Sequence, residues 1–321
     1  MRGWPLIKIL PVRTHFHFVK WARLMALVSI LAIIASIVGA SVWPGLNRGI
    51  DFKGGTILEL STPQPADLGR IRGALNALSI GDVGVQNFAT KDDPQGVRHV
   101  TVQFQTPQGA SSAATVTRVK QALGQSLGQV SYSRTDVVGP KVSGELFRNG
   151  MIALLLAIGL MLVYIWFRFE LQFGLGAVAA LFHDVILVFG LIVLLRIEFD
   201  LRLIAAILTV IGYSMNDTVV VFDRLRENLR KYKKVPLREL IDQSINETLT
   251  RTIITGITAL LALSGLAIFG GEALRGLSIV LMFGIAIGTY SSIYIASPVV
   301  LLWGLKRNEE AEVIKPQPAR P

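Results

Sequence analysis

Apolar residues in this chain gather into six long blocks. The first covers 24–42, and the others roughly 150–167, 171–195, 203–222, 252–269 and 277–305. Blocks near 20 residues have the length an α-helix needs to cross the hydrocarbon core of a bilayer. Six transmembrane helices are therefore expected, the last reaching into the interface. The first block is too long for the apolar stretch of a cleaved signal peptide and carries no convincing small-residue cleavage pattern. It reads as a retained anchor helix.

Between the first two blocks, over about 43–149, the pattern changes to that of a soluble domain. Thr56, Leu58 and Leu60 alternate with Ile57 and Glu59, and Val100, Val102 and Phe104 alternate with Thr101, Gln103 and Gln105. Period two marks half-buried strands. Leu68, Ile71, Leu75 and Leu78 share one helical face, after Pro65 and Asp67 at a plausible helix start. Val116, Val119, Leu123 and Leu127 form a second helical stripe, and 82–88 and 130–138 read as further strands. The order is βαββαβ, which predicts a ferredoxin-like α+β domain with both helices on one sheet face. The other face is left for solvent or for docking. No internal repeat is visible, and low complexity is confined to a Pro-rich tail after Lys315. The expected organisation is a leader over 1–23, a first span over 24–42, the outer domain over 43–149, spans two to six over 150–305 and a tail over 306–321. The fold class is thus a polytopic α-helical membrane protein with one small α+β outer domain.

Composition supports the membrane reading. Hydrophobic residues make up 51% and charged residues 17%, against about 25% charged in soluble domains. The net charge of +10 would suggest nucleic acid in a soluble chain. Here the basic residues flank apolar blocks, so they point to orientation in a membrane and not to a nucleic-acid partner. Arg2, Lys8, Arg13, Lys20 and Arg23 precede the first block without an acidic residue. The connection over 223–251 carries Arg224, Arg226, Arg230, Lys231, Lys233, Lys234, Arg238 and Arg251. The opposite connections hold Arg196 and Arg202 in one and Arg275 in the other, and Lys306 and Arg307 follow the last block. Both termini are therefore expected in the cytoplasm, with the small domain outside. Cysteine is absent, which excludes disulfides, thiolate metal sites and Cys nucleophiles. No phosphate-binding G-x-x-x-x-G-K-[ST] occurs, and no enzyme is expected.

Candidate chemistry lies inside the apolar blocks. Asp184 follows His183 in the third, and Asp217 follows Tyr213, Ser214 and Asn216 in the fourth. A carboxylate at the centre of a span costs roughly 2.5–3.5 kcal/mol on insertion scales, and such groups face the bundle interior and often serve ion or proton pathways. An interhelical hydrogen bond is the structural alternative for both. Asp217 lies six residues before Asp223, about 9 Å of helix, and so towards the inner side. Arg251, expected to open the fifth helix, is either a snorkelling anchor or a counter-charge that tunes Asp217. Gly174 and Gly176, Gly256 and Gly265, and Gly284, Gly288, Ser291 and Ser292 read as helix-packing positions. His15 and His17 form a pair in the leader with no third ligand in view, and no metal is expected.

Several segments carry a resemblance. Gly49-Ile-Asp-Phe-Lys-Gly-Gly-Thr56 resembles the motif after the first helix of the SecD and SecF proteins, and Val138-Gly-Pro-Lys-Val-Ser-Gly-Glu-Leu146 the motif before their second. His183-Asp-Val-Ile-Leu187, the stretch over 211–228 with its Tyr213, Asn216, Asp217 and D-R-x-R-E-N tail, and Ser244-Ile-Asn-Glu-Thr-Leu-Thr-Arg-Thr252 follow in family order. The match extends over about 6–306, and a single small outer domain fits the smaller of the two branches. The resemblance implies half of a bundle of the resistance-nodulation-division type, completed to twelve helices by SecD in a bacterial inner membrane. It implies association with the SecYEG channel and late export of unfolded polypeptide after the SecA ATPase has acted. The coupling ion would be the proton, with no other cofactor. The family's intramembrane aspartate falls on Asp217 and its arginine on Arg251, with Asp184 a further candidate. Asp51, Gly54, Gly55, Gly139, Pro140 and Asn216 are motif positions. Half of a proton-coupled small-molecule transporter and a passive membrane assembly factor are the alternative readings.

Overall fold

The structure, a computed structural model, describes residues 14–42, 45–63, 67–80, 83–88, 98–106 and 110–303. Arg2, Lys8, Arg13, Lys306, Arg307, Pro65, Asp82 and the Pro-rich tail lie outside the described residues. In chain order the elements are α1 (Phe18–Val42), α2 (Ile50–Lys53), β1 (Gly55–Thr62), α3 (Leu68–Asn76), β2 (Val83–Phe88), β3 (Arg98–Phe104), α4 (Ser112–Leu127), β4 (Ser131–Val138), α5 (Pro140–Arg168), α6 (Leu171–Leu194), α7 (Leu201–Lys231), α8 (Leu237–Phe269) and α9 (Glu272–Ser291). A π-helical turn (Ser292–Ala296) joins α9 to α10 (Ser297–Trp303).

Six helices among the described residues are long and apolar enough to cross a membrane: α1, α5, α6, α7, α8 and the continuous α9–α10 rod. Leu27, Ile30, Leu31 and Ile34 on α1 and Leu155, Leu156 and Leu160 on α5 are exposed. Apolar side chains turned outward at this density suit lipid as the solvent. At the centre α7 packs against α6, α8 and α9. A Cβ on Gly288 would lie 2.8 Å from Ser214 Cβ, and one on Gly284 would clash with Val210. Small residues thus let α9 approach α7 closely. Gly176 serves the same purpose, since its Cβ would meet Ala296 O at 2.5 Å. Gly265 does not, because a Cβ there would meet nothing within 4 Å.

The expected connection over 223–251 is mostly helix. α7 continues to Lys231 and α8 begins at Leu237, so the chain turns within 232–236. Hydropathy marks where the apolar surface stops, whereas the helical backbone continues wherever its side chains find partners. Here Arg224 bonds Glu227 at 2.6 Å on the same helix and Glu247 across the hairpin at 2.5 Å. Asn228 Nδ2 donates to Ser244 Oγ at 2.9 Å and to Glu247 at 2.8 Å. Leu225, Leu240, Ile241 and Ile245 are buried beneath them. Arg251 consequently sits within α8 and does not open it.

The sheet domain between the first two spans follows the expected order of strands and helices. Its sheet has the strand order β2-β3-β1-β4, with every pairing antiparallel. Leu58 faces Val102 on one side and Thr135 on the other. Leu58, Leu60, Val100, Val102 and Phe104 are buried against Ile71 and Leu75 of α3 and Val119 and Leu123 of α4. Asp67 caps α3, accepting from Gly69 N at 2.8 Å and Arg70 N at 3.3 Å. Tyr132 O–H donates to Lys120 O at 3.0 Å, and burial pushes its phenol above the ordinary range. On the opposite sheet face Arg134 pairs with Asp136 at 2.6 Å.

A compact joint ties this domain to the bundle. Phe199 N donates to Asn47 O at 2.7 Å, and Gly49 N donates to Phe199 O at 2.9 Å. Asp51 accepts from Leu201 N, at the start of α7, at 3.3 Å. Phe52 is buried against Phe147 and Phe199, with ring centroids 5.3 and 5.6 Å away. The chain then turns from α2 into β1 through Gly54 at φ +73° and Gly55 at φ +146°. A Cβ on Gly55 would stand 2.6 Å from Phe104 O, so the second glycine is fixed by both conformation and space. The domain's exit lies beside its entry: Val138 pairs with Gly55. Gly139 then caps α5, and Pro140 occupies the first turn, where its missing N–H costs nothing.

Candidate functional site

Two buried carboxylates lie in the bundle, bridged by adjacent serines. Asp184, on α6, is 1% exposed and Asp217, on α7, is 7% exposed. Asp184 Oδ2 accepts from Ser214 Oγ of α7 at 2.5 Å and from Ser291 Oγ of α9 at 2.7 Å. Its Oδ1 lies 2.8 Å from His183 Nδ1. Asp217 Oδ1 accepts from Thr252 Oγ1 of α8 at 2.6 Å, and Oδ2 from Ser292 Oγ of the π turn at 2.7 Å. Each carboxylate is thus held by hydroxyls from other helices, which is how a polar group is satisfied where no water competes.

The network extends to the first span. His183 Nε2 is 3.2 Å from Ser29 Oγ, which is 2.8 Å from Tyr290 OH. Tyr290 OH donates to Met25 O at 2.8 Å, and its ring stacks on His183 with centroids 5.9 Å apart. The π turn begins at Ser292, and Ser297 Oγ donates to Ser292 O at 2.8 Å. Such single π turns are frequent at functional positions.

Arg251 lies outside this core. Its side chain is exposed, and no ion pair joins it to Asp217 among the described residues. It precedes Thr252, the hydroxyl donor to Asp217, and is near enough for an electrostatic interaction with that carboxylate. Asn216 is also exposed, because one step along a helix turns a side chain about 100° away from its neighbour. Among the motif positions, Asp51, Gly54, Gly55, Gly139 and Pro140 belong to the joint and not to the carboxylate site. His17 Nδ1 stands 3.8 Å from Asp242 Oδ2, while Asn246 holds the backbone of Phe16 through bonds of 2.9 and 2.8 Å. The leader is thereby strapped to α8.

Sequence reasoning located both aspartates but not the partners Thr252, Ser29 and Tyr290. It assigned Ser291 and Ser292 to packing alone. The available signal was two consecutive hydroxyls, flanked by Thr289 and Tyr290, inside an apolar span.

Comparison with known proteins gives this geometry its family. Residues 118–306 match the family described as protein export membrane protein SecD/SecF, C-terminal, and residues 44–66 match the SecD/SecF GG motif. The chain is 45% identical over 313 residues to a protein translocase subunit SecF of Rhodobacter capsulatus, covering 95% of this chain and 93% of the relative. It is 44% identical over 306 residues to that of Cereibacter sphaeroides, covering 94% and 93% respectively. Among solved structures it resembles SecDF, a translocon-associated membrane protein from Thermus thermophilus, with a TM-score of 0.79 and 33% identity over 92% of this chain. It spans 39% of that longer SecDF chain. SecDF in a super-membrane-facing form matches with a TM-score of 0.67 and 34% identity, covering 93% of this chain and 40% of that one. With curated relatives matched over nearly their whole length and the family's two signatures falling on the joint and the bundle, the chain belongs to the SecD/SecF family of protein-export membrane proteins, in its SecF branch.

Proposed function

We propose that this protein translocase subunit pairs with SecD in the inner membrane and uses the proton gradient to aid late export of unfolded polypeptide through SecYEG, after SecA-driven translocation. The observation that carries this reading is Asp217, a buried carboxylate bound at once to α8 through Thr252 and to the α9 π turn through Ser292. Ionised, it accepts both hydroxyls. Protonated, it gains a donor and loses its charge, so the best arrangement of three helices differs between the two states. A proton crossing the membrane releases about 2.3 kcal/mol per 100 mV, enough to bias an equilibrium between two packings. Arg251 on the neighbouring turn tunes the carboxylate electrostatically, and Asp184 stabilises the adjoining helices through Ser214 and Ser291. The joint at Asp51, Phe52 and Gly55 passes a shift of α7 to the outer domain, because Asp51 bonds the first residue of that helix.

The proposed topology puts both termini and the α7–α8 hairpin in the cytoplasm and the sheet domain in the periplasm, following the basic residues. Asn216 and Arg251, polar and exposed in spanning helices, fit a surface that a partner bundle covers. The test is translocation into membrane vesicles containing SecD and SecYEG, with the gradient limiting. Asp217→Asn keeps the shape and removes the switch, so assembly survives and gradient-stimulated export is lost. Arg251→Met weakens the stimulation. Export by Asp217→Asn at the wild-type level assigns the carboxylate to helix packing and supports a passive assembly role.

A further inference from the structure

We propose that the cavity between the ends of α5 and α7 binds the headgroup of an anionic phospholipid. The cavity holds about 630 Å³ and is lined by Arg168, Asp223, Arg226, Glu227, Arg230 and Lys231. Four cationic side chains thus face two carboxylates, and both carboxylates are already engaged. Asp223 receives Arg168 Nη2 through its two oxygens at 2.6 and 2.7 Å. Glu227 receives Arg224 Nη1 at 2.6 Å. Arg226 approaches a carboxylate no nearer than 4.0 Å, at Glu170. Lys231 Nζ stands over the Tyr232 ring, 5.0 Å from its centroid. Among the described residues neither Arg230 nor Lys231 has a carboxylate within ion-pair distance. The lining therefore keeps positive charge unneutralised by the protein, carried by arginine and lysine, the side chains that bind phosphate oxygens through charge-assisted hydrogen bonds.

The surroundings say which phosphate. Trp166, Phe167 and Leu171, next to Arg168 in the chain, are 73%, 84% and 62% exposed. Aromatic side chains at the end of a spanning helix mark the headgroup level of a bilayer. A ligand entering here meets cations on one side and an outward-facing apolar shelf on the other. That combination fits a molecule with a phosphate and acyl chains, and basic pockets at helix ends recognise acidic lipids for this reason. A zwitterionic headgroup brings its own cation and gains less from unneutralised arginine and lysine. The inference rests on α5 and α7 being membrane-spanning and is independent of any role for Asp217.

The experiment is native mass spectrometry of the full chain in detergent, titrated separately with phosphatidylglycerol, phosphatidylethanolamine and inorganic phosphate. One phosphatidylglycerol is expected to bind at least about tenfold more tightly than phosphatidylethanolamine. The double variant Arg230→Gln/Lys231→Gln should weaken it roughly thirty-fold. Lys233→Gln/Lys234→Gln, which removes equal charge from the nearby turn, should leave binding within about threefold, because attraction at a distance is screened. Lys231→Gln alone gives a graded loss if the double variant does not fold. Equal affinity for the two lipids overturns the proposal. So does an equal loss in the two double variants, or displacement of phosphatidylglycerol by millimolar inorganic phosphate, which marks a free-anion site.

Discussion

Leu58, Leu60, Val102 and Phe104 in the sheet domain and Asp184, Ser214, Asp217 and Ser291 in the membrane bundle are all buried, yet they are held by different forces. The first set is gathered from water by the hydrophobic effect, and its members touch nonpolar neighbours on α3 and α4. The second set sits among helices whose outer faces meet lipid, where apolar surface gives no preference for inside over outside. There the polar atoms do the sorting, because each unpaired carboxylate or hydroxyl costs several kcal/mol in a medium without water. The sheet domain is therefore held by a dry, close-packed core. The bundle is centred on carboxylates held by hydroxyls from neighbouring helices.

Substitutions can separate the two regimes. The largest effect is expected from Phe104→Ala in the dry core, which removes a fully buried ring and costs about 3–5 kcal/mol. Hydrogen exchange of the β1 and β3 amides should then accelerate by roughly two to three orders of magnitude, at tenfold per 1.4 kcal/mol. Amides of α7 should be unchanged. Acceleration spreading through α7 would show that the two regions form one cooperative unit.

Gly55→Ala comes next. The new Cβ must fit φ +146° and a contact with Phe104 O, so a cost of about 1–3 kcal/mol is expected. It should appear as increased proteolysis near the joint, while thermal unfolding of the bundle stays in place.

Ser292→Ala probes the other regime. Losing one interhelical hydrogen bond within a membrane costs up to about 1.7 kcal/mol, so assembly should persist. Gradient-stimulated export should fall further than stability does, because Asp217 loses its tie to the π turn. Export that drops only in proportion to the amount of folded protein would place Ser292 with the packing residues. The smallest change is expected for Tyr132→Phe, which deletes the bond to Lys120 O and costs about 0.5–1.5 kcal/mol. Thermal melting monitored at the sheet domain should register it.

The two regions also differed in how far they could be read. In the sheet domain Leu58, Leu60, Val100, Val102 and Phe104 announce their face by alternation, and Asp67 announces its helix start by chemistry, so the buried residues could be named in advance. In the bundle the positions of Asp184 and Asp217 stood out because charge is rare there, but their partners did not. Arg251 was expected at a helix start and lies within α8, since the polar end of that helix is stabilised by Asn228, Ser244 and Glu247 and not by apolar length.

What the sequence determined alone was local: where the chain is apolar for about the thickness of a bilayer, where it alternates, and where glycine or proline forces the backbone. Only the tertiary structure decided that Ser291 and Ser292, consecutive on one helix, hold carboxylates 107 and 75 residues away. That choice depends on how each helix is rotated about its axis. In water an apolar stripe fixes the rotation, but a helix apolar on all sides carries no such stripe, and its orientation is set by the hydrogen bonds and close contacts it makes with its neighbours.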